Sequence, residues 1–281
     1  MQLLAPAKIN LSLEITGRRA DAYHEVVSLM QTVSLADSLQ FEANDDLRVR
    51  VVNAELPEDN LVMRAALALR RRFGVTKGCT ITLEKRIPIA AGLGGGSSDA
   101  AAALLGLGKF WELDVETREY VALAAALGSD VPFFLAGGTA LAEGRGERVT
   151  GLPSPGPSWY LLANPGVPVL TSAVYASLIP DDFTDGERTR SLAAELDPFR
   201  AAPVGCNGLQ PALFRISAEA RECFAAVSEV APLGAMISGS GPTVFAAFDS
   251  PEAAVRAAVA VRARGNWAAV ECSIGPREGA G

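Results

Sequence analysis

The chain is poor in the residues that hold metals and staple folds. Its 281 residues include one histidine, His24, and four scattered cysteines, Cys79, Cys206, Cys223 and Cys272. Without a C-x-x-C pair or a second histidine, neither a zinc site nor a disulfide framework has the spacing it needs. Free thiols in a reducing, cytoplasmic setting are expected. A lone histidine also leaves a Ser-His-Asp arrangement without a visible partner, so by itself His24 reads as a structural hydrogen-bonding residue. Positive charge is in deficit: 25 lysines and arginines face 32 acidic residues, a formal charge of −7. Nucleic acid is therefore an unexpected partner. The N-terminus has neither the basic head nor the apolar run of a signal peptide. Long unbroken apolar runs are scarce as well. Val121 to Ala142 carries a single charge, Asp130, but Gly128, Ser129, Pro132, Gly137 and Gly138 interrupt it. It reads as helix, loop and strand, not as a membrane span. A soluble protein, monomeric or weakly dimeric, with a small-molecule ligand is the expectation.

What the chain has is a concentration of glycine. Pro88-Ile89-Ala90-Ala91-Gly92-Leu93-Gly94-Gly95-Gly96-Ser97-Ser98-Asp99 lies between a β-leaning segment, Cys79 to Leu83, and an Ala/Leu-rich helical stretch reaching about Leu107. Glycines let backbone approach a ligand and aim several N–H groups at one point. A helix start adds free N–H groups and partial positive charge, with Ser97 or Ser98 expected as its cap. The combination favours an anion site for phosphate over a turn made only for packing. It is not a P-loop, because no lysine follows these glycines before Lys109. It is not G-x-G-x-x-G, since Ser97 stands where the third glycine belongs, and the protein-kinase H-R-D and D-F-G set is absent.

Along the rest of the chain, Ala7, Ile9, Leu11, Leu13 and Ile15 alternate with Lys8, Asn10, Ser12 and Glu14. That period places Lys8 and Asn10 on one strand face, which by periodicity alone is a solvated one. Arg18 to Tyr23 reads as a charged turn before a second apolar alternation through Val33. Leu47 to Val52 reads as a strand, and Asn60 as the cap of a helix from Leu61 to Phe73 with Gly74 past its end. Glu116 to Leu127 is a helix stopped by Gly128. In Gly128-Ser129-Asp130-Val131-Pro132-Phe133-Phe134 a carboxylate sits between apolar helical and apolar extended segments. It reads either as an N-cap with Pro132 just inside the helix or as a catalytic carboxylate, and the residues leave both open. Gly137 to Val149 forms a hairpin, and the proline cluster Pro153 to Pro157 marks a domain boundary. Trp159 to Ala163 is a strand, Thr171 to Leu178 a helix, Pro180 to Arg190 a polar, mobile segment, and Ala212 to Val230 helical. Met236 to Phe245 holds a small-residue turn, Ser238-Gly239-Ser240-Gly241, leading into a strand. Helix Pro251 to Arg264 and strand Ala268 to Ile274 close the chain.

Three stretches in this order resemble the signature of the GHMP kinases: Pro6-Ala7-Lys8-Ile9-Asn10-Leu11, Pro88 to Ala101, and Ser238 to Thr243 with Val244-Phe245. Gly17 to His24 and Gly128 to Phe134 are similar to a branch of that family acting on a cytidyl-diphosphate-linked methylerythritol. The resemblance implies an α+β fold of two domains, an N-terminal ATP-binding domain (1–155) and a smaller α/β-plait-like C-terminal domain (156–281), with the active site between them. It implies transfer of phosphate from ATP to the substrate's tertiary 2-hydroxyl, with Asp130 as general base and Lys8 beside it. Pro88, Gly92, Leu93, Gly94, Gly95, Gly96, Ser97 and Ser98 would cradle the ATP phosphates, with Mg²⁺ bridging phosphate oxygens and no protein ligand assigned. Asn10, Gly239, Ser240 and Gly241 would line the substrate side. Tyr23 and His24 would contact the cytosine and Tyr175 would stack on its other face. Ala22 departs from the family's glycine, and Asn207-Gly208-Leu209-Gln210 stands where the family tends to have Asn-Asp-Leu-Glu. The rival readings are a GHMP kinase of the homoserine or mevalonate type and a non-catalytic sensor on the same fold.

Overall fold

A computed structural model of the chain describes residues 1–198, 200 and 204–277. Strand β1 (Gln2–Arg18) and strand β2 (His24–Glu42) form a long antiparallel pair. β2 also carries β4 (Cys79–Glu84) along Ser38–Glu42 and β5 (Thr139–Gly144) along Val26–Gln31. With β3 (Leu47–Val52) parallel to β4 and β6 (Arg148–Leu152) beyond β5, these make a six-stranded sheet. A second, four-stranded sheet has the order β10-β7-β9-β8, from β7 (Trp159–Asn164), β8 (Ala235–Ile237), β9 (Val244–Phe248) and β10 (Trp267–Cys272). The α+β class holds.

Helices cover both sheets. In α1 (Leu61–Phe73) the Asn60 side chain accepts the N–H groups of Val62 and Met63, and Gly74 closes the helix in the left-handed region. Arg70, Arg71 and Arg72 in the last turn complement the helix dipole. Helix α2 (Gly95–Phe110) is buried through its middle, because Ala100 to Ala103 let neighbours close in on every side. Around it pack α1, α3 (Thr117–Leu127) and α4 (Val131–Ala136). On the second sheet lie α8 (Ala218–Ser228) and α9 (Pro251–Arg262), with α7 (Gln210–Ile216) against α8 and α5 (Thr171–Ala176) against α7, while α6 (Glu187–Ala194) lies on β1 and β2. Among the described residues no helix is long and apolar enough to cross a membrane.

The alternation in β1 explains how the sheets are joined. Ala7, Ile9 and Leu11 pack with Leu29, Tyr160, Leu162 and Phe245 in one core shared by both sheets. Burying side chains of this size contributes about 1.5–3 kcal/mol each. The other face of β1 is not solvated, as periodicity alone would have it. Lys8, Asn10, Ser12 and Glu14 are all buried. The reason is chain crossing. The stretch 205–208 runs beside β1, with the N–H of Gly205 donating to Leu11, that of Leu13 to Cys206 and that of Gly208 to Leu13. The Glu14 carboxylate accepts the N–H of Thr189, and Ser12 pairs with Thr189.

Other expectations need correction. Pro180 to Arg190 is built into the fold: Thr184 N–H donates to Ile15, Asp182 is buried against Arg215, and α6 begins at Glu187. Pro132 to Phe134 is helical, because Pro132 sits in the first turn of α4, where its missing N–H costs nothing. The stretch 212–230 is two helices, split where Ser217 turns extended and caps α8.

Candidate functional site

The two halves meet at the glycine loop. Helix α2 starts at Gly95 with Gly94 as its cap residue, so the expected serine cap is wrong. The helix begins before the serines, and Ser97 and Ser98 lie inside its first turns with the Ser98 N–H bonded to the Gly94 carbonyl. Ser97 lines the cleft described below, whereas the Ser98 hydroxyl is enclosed and has no partner. Upstream, Gly92 has φ of 75°, and a Cβ there would fall 2.1 Å from the Ser238 carbonyl oxygen. Only glycine allows that contact. The Ser238 hydroxyl donates to the Gly92 carbonyl, the Thr243 N–H to Ala91, and the Lys8 N–H to Leu93. The first strand, the glycine loop and the Ser238–Gly241 turn are thus laced into one wall.

Lys8 extends from that wall. Its ammonium is buried, 2.6 Å from Asn10 Oδ1 and 3.7 Å from Asp130 Oδ2. Asn10 Nδ2 donates to Ser28 Oγ, whose hydroxyl donates to the Ser12 carbonyl, which fixes the amide and hence the lysine. A Cβ on Gly239 would lie 3.1 Å from the Lys8 nitrogen, so the second glycine turn leaves that space open. Burial draws the Lys8 ammonium below its usual range, and Asp130 works against that loss. Asp130 occupies the N-cap position of α4 but makes no side-chain cap bond. Its carboxylate points to Lys8, and its side chain is 36% exposed. It is not the sealed acid that its apolar surroundings in the sequence suggest.

Beyond Asp130 the wall is aromatic. The His24 and Tyr175 rings lie 5.0 Å apart, tilted by 34°, with Phe183 on the other flank of His24. Burial, with Arg18 nearby, lowers the His24 imidazole. Burial first, then the charge of Asp130, raises the Tyr175 phenol. Tyr23 is exposed, with the Arg145 guanidinium 4.9 Å over its ring. Ala22 adopts φ of 68°, the left-handed conformation that glycine takes without strain, so the turn keeps its shape despite the substitution.

A single cleft of about 1210 Å³ joins these parts. Its lining includes Lys8, Asn10, Tyr23, His24, Pro88, Gly92, Leu93, Gly94, Gly95, Gly96, Ser97, Asp130, Tyr175, Gly239 and Ser240. Two residues expected in the site are not part of the lining: Ser98 is buried in α2, and Gly241 packs against Leu213 and Ile237. Asn207 is not part of the lining; its amide donates to the Ile237 and Gly239 carbonyls and steadies the second turn. Gln210 accepts the Ile237 N–H.

Sequence reasoning passed over a second lysine. Lys85 donates to Asp37 and, at 2.7 Å, to Asp99, all three buried beneath the loop. Asp37 also accepts the N–H of Ile87 at 2.9 Å and that of Arg86. Burial pushes the Asp99 carboxyl up to about 7, with Lys85 opposing and Asp37 adding to the rise. Its Oδ1 has no hydrogen-bond partner. Lys85 and Asp99 flank the glycine run in the sequence and were legible there as neighbours; Asp37 lies 48 residues from Lys85 and gives no local signal.

The GHMP kinases N terminal domain pattern matches residues 60–138 and the GHMP kinases C terminal pattern residues 187–266. The chain is 41% identical over 282 residues to a 4-diphosphocytidyl-2-C-methyl-D-erythritol kinase of Pelotomaculum thermopropionicum, covering 98% of both chains. It is also 41% identical to the Exiguobacterium sibiricum protein of that name, over 86% of this chain and 87% of the relative. A crystal structure of a 4-(cytidine 5'-diphospho)-2C-methyl-D-erythritol kinase superposes with a TM-score of 0.83 at 38% identity, over 98% of this chain and all of that one. A homoserine kinase from Cytophaga hutchinsonii shares the fold, with a TM-score of 0.72 at 21% identity over 99% of this chain and 96% of its own.

Proposed function

The chain belongs to the GHMP kinases and, within them, to the 4-diphosphocytidyl-2-C-methyl-D-erythritol kinases, and from that premise we propose that Lys8 and Asp130 carry the reaction in this cleft. The reaction is ATP-dependent phosphorylation of the 2-hydroxyl of that cytidyl substrate, a step of isoprenoid precursor synthesis. The observation that carries the residue roles is the approach of an exposed carboxylate to a buried ammonium, 3.7 Å apart, between the glycine loop and the aromatic wall.

Phosphoryl transfer asks the protein to place two reactants and to balance charge. Asp130 has an open oxygen toward the cleft and accepts the proton of the 2-hydroxyl. Lys8, 3.7 Å from Asp130, attracts the hydroxyl oxygen as negative charge grows on it. Asn10 keeps the ammonium from swinging away. Gly92 to Ser97 offer backbone N–H groups and the start of α2 to the ATP phosphates, beside Pro88. Gly239 and Ser240 close the substrate side. Tyr23, His24 and Tyr175 receive the cytosine, with His24 largely neutral and so able both to donate and to accept at the base's polar edge. We assign these roles to two domains, 1–155 and 156–281, the last residues of the second lying outside the described ones.

Magnesium fits the donor set only as an ion that keeps most of its shell from water and phosphate. Among the described residues no three His, Cys, Asp or Glu side chains gather to hold a metal, while the Ser97 hydroxyl lies in the cleft wall. Ser97 would hold it beside the phosphates, where the ion supplies charge neutralisation of the transferring group.

The test is ADP release with ATP and, in turn, the cytidyl substrate, mevalonate and homoserine. Turnover with the cytidyl substrate alone is expected. Turnover with mevalonate or homoserine in its absence overturns the assignment.

A further inference from the structure

The glycine loop has two ends, and one ammonium grips both. Before the loop, the segment 85–87 leaves β4; after it, Asp99 sits in the opening turns of α2. Asp37 of β2 binds the N–H groups of Arg86 and Ile87, so the segment leading into the loop is fixed to the sheet. Lys85 returns from that same segment and bonds both Asp37 and Asp99. Its nitrogen lies 3.3 Å from where a Cβ on Gly95 would be, at the start of α2, and both Lys85 and Asp99 reach the cleft lining. Nothing in the chemistry proposed for the cleft uses these three residues.

We propose that Lys85, bridging Asp37 and Asp99, is a positioning residue that buckles the two ends of the glycine loop and so holds its amides in the shape that receives the nucleotide. The inference rests on the reading of that loop as the ATP seat. Three features support it. Between Ile87 and Asp99 the chain makes no regular structure until Gly95, and glycine-rich backbone left free has more conformations to lose than any other. Charge-assisted hydrogen bonds are the strong kind, and two of them converge here on one atom. The cluster also touches the cleft that the loop walls: Lys85 and Asp99 reach its lining, and Asp99 Oδ1 has no partner.

The experiment is Lys85→Met, read by amide hydrogen exchange and by steady-state kinetics with ATP and the cytidyl substrate varied separately. Exchange of the amides of 89–98 should rise about tenfold, the worth of one charge-assisted hydrogen bond, while β7 and β9 stay as they were. The KM for ATP should rise by a similar factor and that for the cytidyl substrate by less than about twofold. Adding Asp99→Asn should return part of the ATP affinity, because an amide at 99 supplies a donor to Asp37 in place of the lost ammonium. If Lys85→Met does not fold, Asp99→Asn alone, which weakens only the far grip, should move loop exchange and the ATP KM in the same direction by a smaller factor. Unchanged loop exchange, or equal rises in both KM values, overturns the inference. A loosened loop with an unmoved ATP KM overturns the ATP-seat reading and takes the inference with it, whereas an unloosened loop sinks the inference alone.

Discussion

Two lysines stand on either side of the glycine loop, and each meets a carboxylate, yet the meetings differ in kind. Lys8 faces Asp130 across 3.7 Å, and the acid is 36% exposed to the cleft. Lys85 bonds Asp37 and Asp99 where both acids are sealed from water, with side-chain exposures of 0% and 2%. The first pair is loose, and its carboxylate keeps lone pairs for an incoming hydroxyl. In the second, Lys85 and two backbone N–H groups take up Asp37, and no reactant can reach it. On the proposed reading, the same residue types serve proton transfer where one partner is left open, and shape where none is. Access to the acid, more than its distance from the ammonium, separates the two.

The sharpest way to break this comparison is Asp130→Asn. The amide keeps the size and position of the acid but cannot take a proton. We expect kcat to fall by about 10²–10⁴-fold, the usual contribution of a general base, with binding of ATP retained in an equilibrium titration. A variant that turns over at the native rate would mean that the open carboxylate is not the base. The distinction between the open and the sealed pair would then lose its functional meaning.

Next in size is Tyr175→Ala. Its ring packs on His24 at 5.0 Å and lines the cleft on the Asp130 side. Base stacking is worth about 1–3 kcal/mol, so the KM for the cytidyl substrate should rise about tenfold or more while that for ATP hardly moves. This is the mirror image of the split expected for Lys85→Met. Equal changes in both constants would remove Tyr175 from the base pocket.

Much of the contrast was written in the sequence, but unevenly. The period of two in β1 put Lys8 and Asn10 on one face, and the four glycines marked the loop that walls the cleft. Asn60, Gly74 and Gly128 marked helix ends, because caps are local chemistry. What stayed hidden was set by distant chain. The polar face of β1 is buried because distant chain closes over it, 205–208 and Thr189 at Ser12 and Glu14 and the Gly239 turn at Lys8 and Asn10. Asp37 reaches the loop from 48 residues away. The apolar neighbours of Asp130 suggested a sealed acid, whereas Val131, Pro132, Phe133 and Phe134 bury themselves in α4 and leave the carboxylate at its open end. The serine cap failed for a local reason instead: Gly94 takes the left-handed conformation and starts the helix before either serine.

The finest test of the sealed pair is the pH dependence of stability. The Asp99 carboxyl is raised in the fold from an ordinary 3.8 to about 7, with burial as the main cause. Between those values the folded chain holds a proton that the unfolded chain has released, so stability must fall as pH rises from 3.8 toward about 7. The sign is opposite to that of a carboxylate stabilised by an ion pair, whose contribution is lost on acidification. Asp99→Asn removes the titrating group, so that part of the downward slope in melting temperature should vanish, a change of about 2–4 °C for each kcal/mol involved in a chain of this size. An unchanged slope in the variant would mean that Asp99 does not keep that proton in the fold, and the contrast with the open pair would reduce to access alone.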